Sequence, residues 1–171
     1  MKDLSMGSIN MTSRGLGPLL LTLLLGLAPP GARSQTAAPP SPLVWQASTL
    51  DGAVFDPAKL NGKVVMVFYW STRCGVCLSH LPELRANLAG WRGKPFELVT
   101  VNVDTDMAEW RAYEQIVSKT HALRPVALWS AKPAALKLPL TLVLDTQGRV
   151  VARHEGRIAP EAWDAVAEIL P

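Results

Sequence analysis

Lys63–Pro82 reads KVVMVFYWSTRCGVCLSHLP. After its first lysine, Lys63–Trp70 is a continuous run of apolar, β-branched and aromatic side chains. Such a run predicts a strand buried on both faces, since a half-exposed strand would alternate. Ser71–Arg73 then reads as a loop, and from Cys74 a helix is predicted to about Ala89. Its apolar positions Cys77, Leu81, Leu84 and Leu88 step by four, three and four along one stripe. Gly90 is placed to close that helix as its C′ residue. The turn between strand and helix carries Cys74-Gly75-Val76-Cys77. Two thiols at this spacing can close a small disulfide ring. The helix N-terminus brings free N–H groups and partial positive charge to Cys74, which favours its thiolate, and Arg73 adds a full charge beside it. A lone C-x-x-C says little; between a buried strand and a helix in an exported chain it says much more.

Upstream, Leu43–Ala47 is a short strand candidate, Leu50-Asp51-Gly52 a turn and Asn61-Gly62 another. Downstream, Phe96–Val103 (FELVTVNV) predicts a second buried strand. Asp106 with Glu109 three residues on resembles a capping box, and Trp110, Tyr113 and Val117 support a helix over 107–119. Val126–Leu128 allows a short strand and Pro133–Leu136 one helical turn. Leu140–Asp145 is a strong strand, turned by Thr146-Gln147-Gly148 into an antiparallel partner, Val150–Glu155. Pro160 suits the start of a last helix with Trp163, Val166 and Leu170 on one face. The expected class is α/β, a mixed central sheet with helices on both faces.

The N-terminus reads as an export signal over residues 1–34. Lys2 and Arg14 precede the apolar run Leu16–Ala28, which is shorter than the roughly 20 residues that span a bilayer. Ala32-Arg33-Ser34 offers small residues at a cleavage site. Asp3, Met6 and Met11 suggest Met11 as an alternative start, with a more usual signal length. No nearby cysteine suggests a lipid anchor; an uncleaved membrane anchor is the alternative. Residues 35–42 form a Pro/Ala/Ser linker, and 43–171 is the folded domain. A periplasmic location follows as an expectation.

The chain has 171 residues, 17 basic and 14 acidic, and a net charge of +3. The signal removes Lys2, Arg14 and Arg33 against Asp3, which leaves +1. No basic cluster is interleaved with aromatics, so nucleic acid is not an expected partner. A hydrophobic fraction of 49% excludes a disordered or collagen-like chain. Two cysteines exclude a disulfide framework and a four-thiolate zinc site.

Val64–Pro82 resembles the thioredoxin superfamily, and within it the TlpA/ResA-like exported thiol–disulfide oxidoreductases. Trp70 stands where that family has its Phe-Trp pair. Pro82, five residues after Cys77, matches the proline that kinks the active-site helix. Leu138-Pro139 matches the position of the cis-proline. Leu50-Asp51-Gly52 and Leu60–Lys63 match the lead-in hairpin, and the Asp145–Gly148 turn with Arg153…Gly156 is similar to TlpA-type C-termini. The resemblance implies a thioredoxin-like fold with an N-terminal hairpin. It implies Cys74 as nucleophile, Cys77 as resolving thiol and Pro139 as a cis residue beside them, with Trp70, Arg73, His80 and Pro82 in support. It implies no cofactor, clients that are exported disulfide proteins such as apocytochromes, a membrane electron donor of the DsbD type, and a monomer.

Several positions depart from the family pattern. Arg73 replaces the usual Trp, Val76 the usual Pro, and Phe68 the buried acid of thioredoxin. His80 stands where the TlpA/ResA branch often has Glu. At i+3 from Cys77 it shares that helical face. It reads either as the group that moves protons to and from Cys77 or as a partly exposed surface histidine. Two other readings of the cysteines stay open. A static disulfide gains little from so short a loop. Cys74, Cys77 and His80 could also form a Cu(I) site, for which thiolates suit. His121 and His154 read as exposed, and Asp104 and Asp106 as a loop residue and a helix cap.

Overall fold

The computed structural model describes residues 46–130, 136–158 and 160–171. The expected export signal and linker, most of Leu43–Ala47 and most of Pro133–Leu136 lie outside these residues.

The predicted strand is β1, Val64–Trp70, and all seven side chains are buried. It sits at the centre of a five-stranded sheet, between β2 (Phe96–Asn102) and β4 (Leu140–Leu144). β2 runs parallel to β1, with Trp70 opposite Asn102. β3 (Val126–Trp129) runs parallel to β2 at one edge. β4 is antiparallel to β1, and β5 (Val150–Glu155) is antiparallel to β4 at the other edge. Burial tracks position: β1 and β4 are buried throughout, whereas β5 alternates between half-buried and exposed side chains, as an edge strand with one solvated face does.

The helices are α1 (Gly75–Leu88), α2 (Met107–Thr120) and α3 (Glu161–Glu168). Alternating strands and helices suggested helices on both faces, but the described helices share one. Cys77, Leu81, Leu84 and Leu88 of α1, Trp110 of α2 and Val166 of α3 form one core with Val64, Met66, Phe68 and Trp70. The chain steps from β1 to β2 to β3 in one direction across the sheet. Right-handed crossovers taken in the same direction place their helices on the same side. The opposite face, Val65, Val67, Tyr69, Val99, Val101 and the β4 leucines, packs on Ala47, Phe55 and Leu60. Those three come from the lead-in, which bridges Ser48 to Val54 and to Trp129 and closes with a 3-10 turn at Pro57–Leu60. Of the strand candidate Leu43–Ala47 only residues 46 and 47 are described, and neither is strand; the bridges fall one residue further on, at Ser48.

The end of α1 differs from expectation. Gly90 lies inside a 3-10 turn, Ala89–Trp91, and the left-handed position passes to Gly93, φ +80°. The extra turn carries Trp91 to within 5.0 Å of the Phe96 ring and 6.1 Å of Trp163, measured between ring centroids. This aromatic contact favours continuing the helix over capping it at once.

Candidate active site

β1 stops at the end of the sheet where Trp70 lies, and Ser71–Arg73 turns the chain into α1. Cys74 is the N-cap residue of α1, and its Sγ accepts the Cys77 amide at 3.1 Å. Cys74 and Cys77 are joined in a disulfide. Cys74 is half-buried at the helix tip, while Cys77, one turn in, is fully buried in the core. Gly75 and Val76 between them are exposed. This asymmetry suits exchange chemistry, because an incoming sulfur reaches the outer cysteine first. Pro82 lies inside α1 on its exposed side. Having no N–H, it leaves the Leu78 carbonyl without its helical partner.

Pro139 comes to the same end of the sheet. The Leu138–Pro139 bond is cis. Leu140 pairs with Tyr69, so Pro139 falls opposite Trp70, where the cysteine loop begins. Its carbonyl accepts the Gly156 amide at 2.8 Å. Trp70 is buried and meets Tyr113 of α2 edge to face, with ring centroids 4.8 Å apart.

Two acids hold the cysteine loop, and the sequence reading undervalued both. Asp104, read as an ordinary loop residue, is buried. Its carboxylate accepts the Ser71 hydroxyl, the Thr72 amide at 3.0 Å and the Asn102 amide group at 2.9 Å. Burial alone would raise this carboxyl; the hydrogen bonds outweigh it and hold the group below its ordinary value. The signal was present in the register. With Trp70 opposite Asn102, two residues further along β2 lie beside Ser71 and Thr72. Glu109 was read as the second half of a capping box. Asp106 does cap α2, accepting the Ala108 amide at 2.8 Å. Glu109 instead turns to the loop, taking Arg73 through both oxygens at 3.2 and 2.7 Å and the Thr72 hydroxyl at 3.2 Å. Arg73 therefore does not stand as a free charge beside Cys74; its guanidinium is neutralised by α2.

His80 is buried, not part of the helix surface. Its ring meets Phe68 edge to face at 6.2 Å. Nε2 accepts the Ile158 amide at 3.3 Å, and Nδ1 lies 3.3 Å from Glu83 Oε2. An acceptor nitrogen carries no proton, so the ring is neutral with its hydrogen on Nδ1. Burial pushes its pKa down, against the pull of Glu83. Nε2 is thus taken by a partner other than the cysteines, while Nδ1 faces Glu83 without a hydrogen bond to it. Cys74, Cys77 and His80 do not converge on one point, and among the described residues no three His, Cys, Asp or Glu side chains could hold a metal ion. Of the other histidines, His121 is exposed and His154 is half-buried.

A cysteine pair at a helix tip, facing a cis-proline across the end of a mixed sheet, defines a protein of thioredoxin-like fold built for thiol–disulfide chemistry. The chain belongs to the AhpC/TSA family, whose pattern matches residues 37–162. Within that frame the fold is thioredoxin-like, and the Cys74–Cys77 pair is the group placed for thiol–disulfide exchange. No curated protein matches it. Among solved structures it is similar to a proposed thiol-disulfide oxidoreductase from Bacteroides vulgatus, with 21% identity and a TM-score of 0.61 over 72% of this chain and 90% of that one. It is also similar to a thiol:disulfide interchange protein from Chlorobium tepidum, with 22% identity and a TM-score of 0.58 over 72% and 90%. DsbF of MTB matches with 22% identity and a TM-score of 0.58 over 75% and 98%. These likenesses establish the shared fold. Among the described residues no helix is long and apolar enough to cross a membrane.

Proposed function

We propose that this chain is an exported reductase of protein disulfides. The observation that carries the reading is the unequal burial of the two sulfurs at the tip of α1, with Pro139 at the same sheet end. In the reduced protein, the Cys74 thiolate attacks one sulfur of a client disulfide. A mixed disulfide forms and the first client thiolate leaves. Cys77 then loses its proton and attacks Cys74 Sγ, which releases the second client thiolate and closes Cys74–Cys77. Two electrons pass from the dithiol to the client, and the Cys74–Cys77 disulfide corresponds to the oxidised end of that cycle. A membrane dithiol of the DsbD type returns the pair to its reduced form. Clients are exported proteins that need free thiols, apocytochromes among them. The export signal at residues 1–34 and the TlpA/ResA-like motifs support this setting.

The reduction potential of Cys74/Cys77, measured in glutathione buffers, tests the direction. A strongly reducing value is expected; one near −120 mV, the oxidising end for such proteins, overturns it. N-terminal sequencing of the chain recovered from a periplasmic fraction should begin at Gln35. The full-length chain in the cytoplasm would remove the export part of the reading.

A further inference from the structure

Three consecutive residues after β5 reach both halves of the site. The Gly156 amide donates to the Pro139 carbonyl at 2.8 Å. Arg157 Nη2 donates to Ser79 Oγ at 3.1 Å. The Ile158 amide donates to His80 Nε2 at 3.3 Å. Ser79 and His80 lie in α1, within one turn of Cys77; Gly156 holds the loop of the cis-proline. Ile158 is buried in the same core cluster as Cys77 and Phe68, so the segment is seated as well as hydrogen-bonded. Gly156 has φ +81°, a conformation that admits glycine without strain.

His80 is the buried member of this arrangement. Its Nε2 is an acceptor inside the core, and a buried amide deprived of its acceptor is costly. We infer that His80 is a positioning residue: through Ile158 it ties the helix of the dithiol to the loop of Pro139 and so sets the opening into which a client disulfide docks. The inference rests on the redox reading of this site and adds a role to it. A proton carrier for Cys77 needs a titrating ring. A positioning residue needs only an acceptor where Nε2 stands, and this difference separates the two roles.

Glutamine can place its amide oxygen near the Nε2 position but does not titrate; leucine fills similar space and accepts nothing. Steady-state kinetics are compared for the wild type, His80→Gln and His80→Leu, with a peptide disulfide and with hydroxyethyl disulfide, which is too small to use the cis-proline loop. For His80→Gln, KM and kcat within about twofold of wild type are expected on both substrates. For His80→Leu, KM for the peptide should rise about tenfold, the factor given by losing ~1.4 kcal/mol. Its turnover of hydroxyethyl disulfide should fall by less than its turnover of the peptide. Ser79→Ala, on the exposed side of α1, should raise the peptide KM in the same direction by less, and it guards against a His80→Leu chain that does not fold. The inference is overturned if His80→Gln is as impaired as His80→Leu, if both substrates suffer alike, or if Ser79→Ala and His80→Leu leave the peptide KM unchanged. A wild type that turns over neither substrate defeats the redox reading instead. The link is then read by nitrogen NMR of the His80 ring: a protonated Nε2 overturns it, and a proton on Nδ1 with a slowly exchanging Ile158 amide supports it.

Discussion

Cys74 caps α1 and is bonded to Cys77 one turn deeper, and Arg73 stands beside it. Arg73 was legible as a neighbour of Cys74 but not as a neutralised one. Its partner Glu109 lies on another helix, 36 residues away. The side chain of Arg73 is 75% exposed, and exposed ion pairs contribute about 0–1 kcal/mol. Arg73→Ala should therefore leave the urea unfolding midpoint almost unchanged. The pH dependence of Cys74 alkylation should shift little, because the charge removed was already balanced; a large shift would show that Arg73 acts on the thiolate directly. His80 presents a different obstacle. Its decisive partner is the backbone amide of Ile158, 78 residues away. Every non-proline residue has such an amide, so no residue type announces it.

At the scale of elements, composition and periodicity carried most of the information. β1 was readable as a central strand because nothing polar interrupts Val64–Trp70. α1 was readable from its stripe, and that stripe forms the floor of the site. Leu84 is buried near the middle of α1 against the core it shares with Met66 and Phe68. Leu84→Ala should cost about 2–5 kcal/mol by lost burial and cavity formation. The Cys74–Cys77 potential should stay close to wild type, since the change lies further along the helix from the cysteines; equilibrium unfolding and redox titration of the same preparation check both. Helix ends were less readable. Gly90 looked like a stop, yet packing of Trp91 on Phe96 and Trp163 prolongs the turn to Gly93. The second half of the capping box was misread for a related reason: Glu109 has a stronger partner in Arg73 than in its own helix.

At the scale of the whole molecule, Asp104 and His80 are two of several groups that link stability to acidity; Glu114, raised by burial, works in the opposite sense. Asp104 has a folded-state pKa below its ordinary value. Its contribution is complete above the unfolded carboxylate value, about 3.9, and is lost as pH falls through the lower folded value. His80 is held neutral, with its pKa below the ordinary value through burial, opposed by Glu83 and assisted by the Arg157 charge. The unfolded chain therefore takes up a proton that the folded chain resists, and stability declines as pH falls below about 6.5. Urea midpoints measured from pH 8 to pH 3 should fall in two stages. His80→Gln should flatten the first stage and Asp104→Asn the second, with a loss of about 1–3 kcal/mol at neutral pH for Asp104→Asn. The same pH dependence in wild type and His80→Gln between pH 7 and 5 would contradict the neutral, buried imidazole. The overall architecture was readable as a mixed α/β sheet, but the shared face of the three described helices depended on strand order, which local patterns do not carry.

Cys74 Sγ receives the Cys77 amide, so the atom placed to attack a client also closes the first turn of α1. Loss of chemistry and loss of local order are therefore tied together at one position. Drift that put alanine or leucine at 74 would silence the exchange and uncap the helix at once, whereas serine or aspartate would silence it and keep an acceptor for that amide. Among descendants of this domain that keep the fold after abandoning redox work, selection for stability should steer position 74 toward small oxygen-bearing side chains.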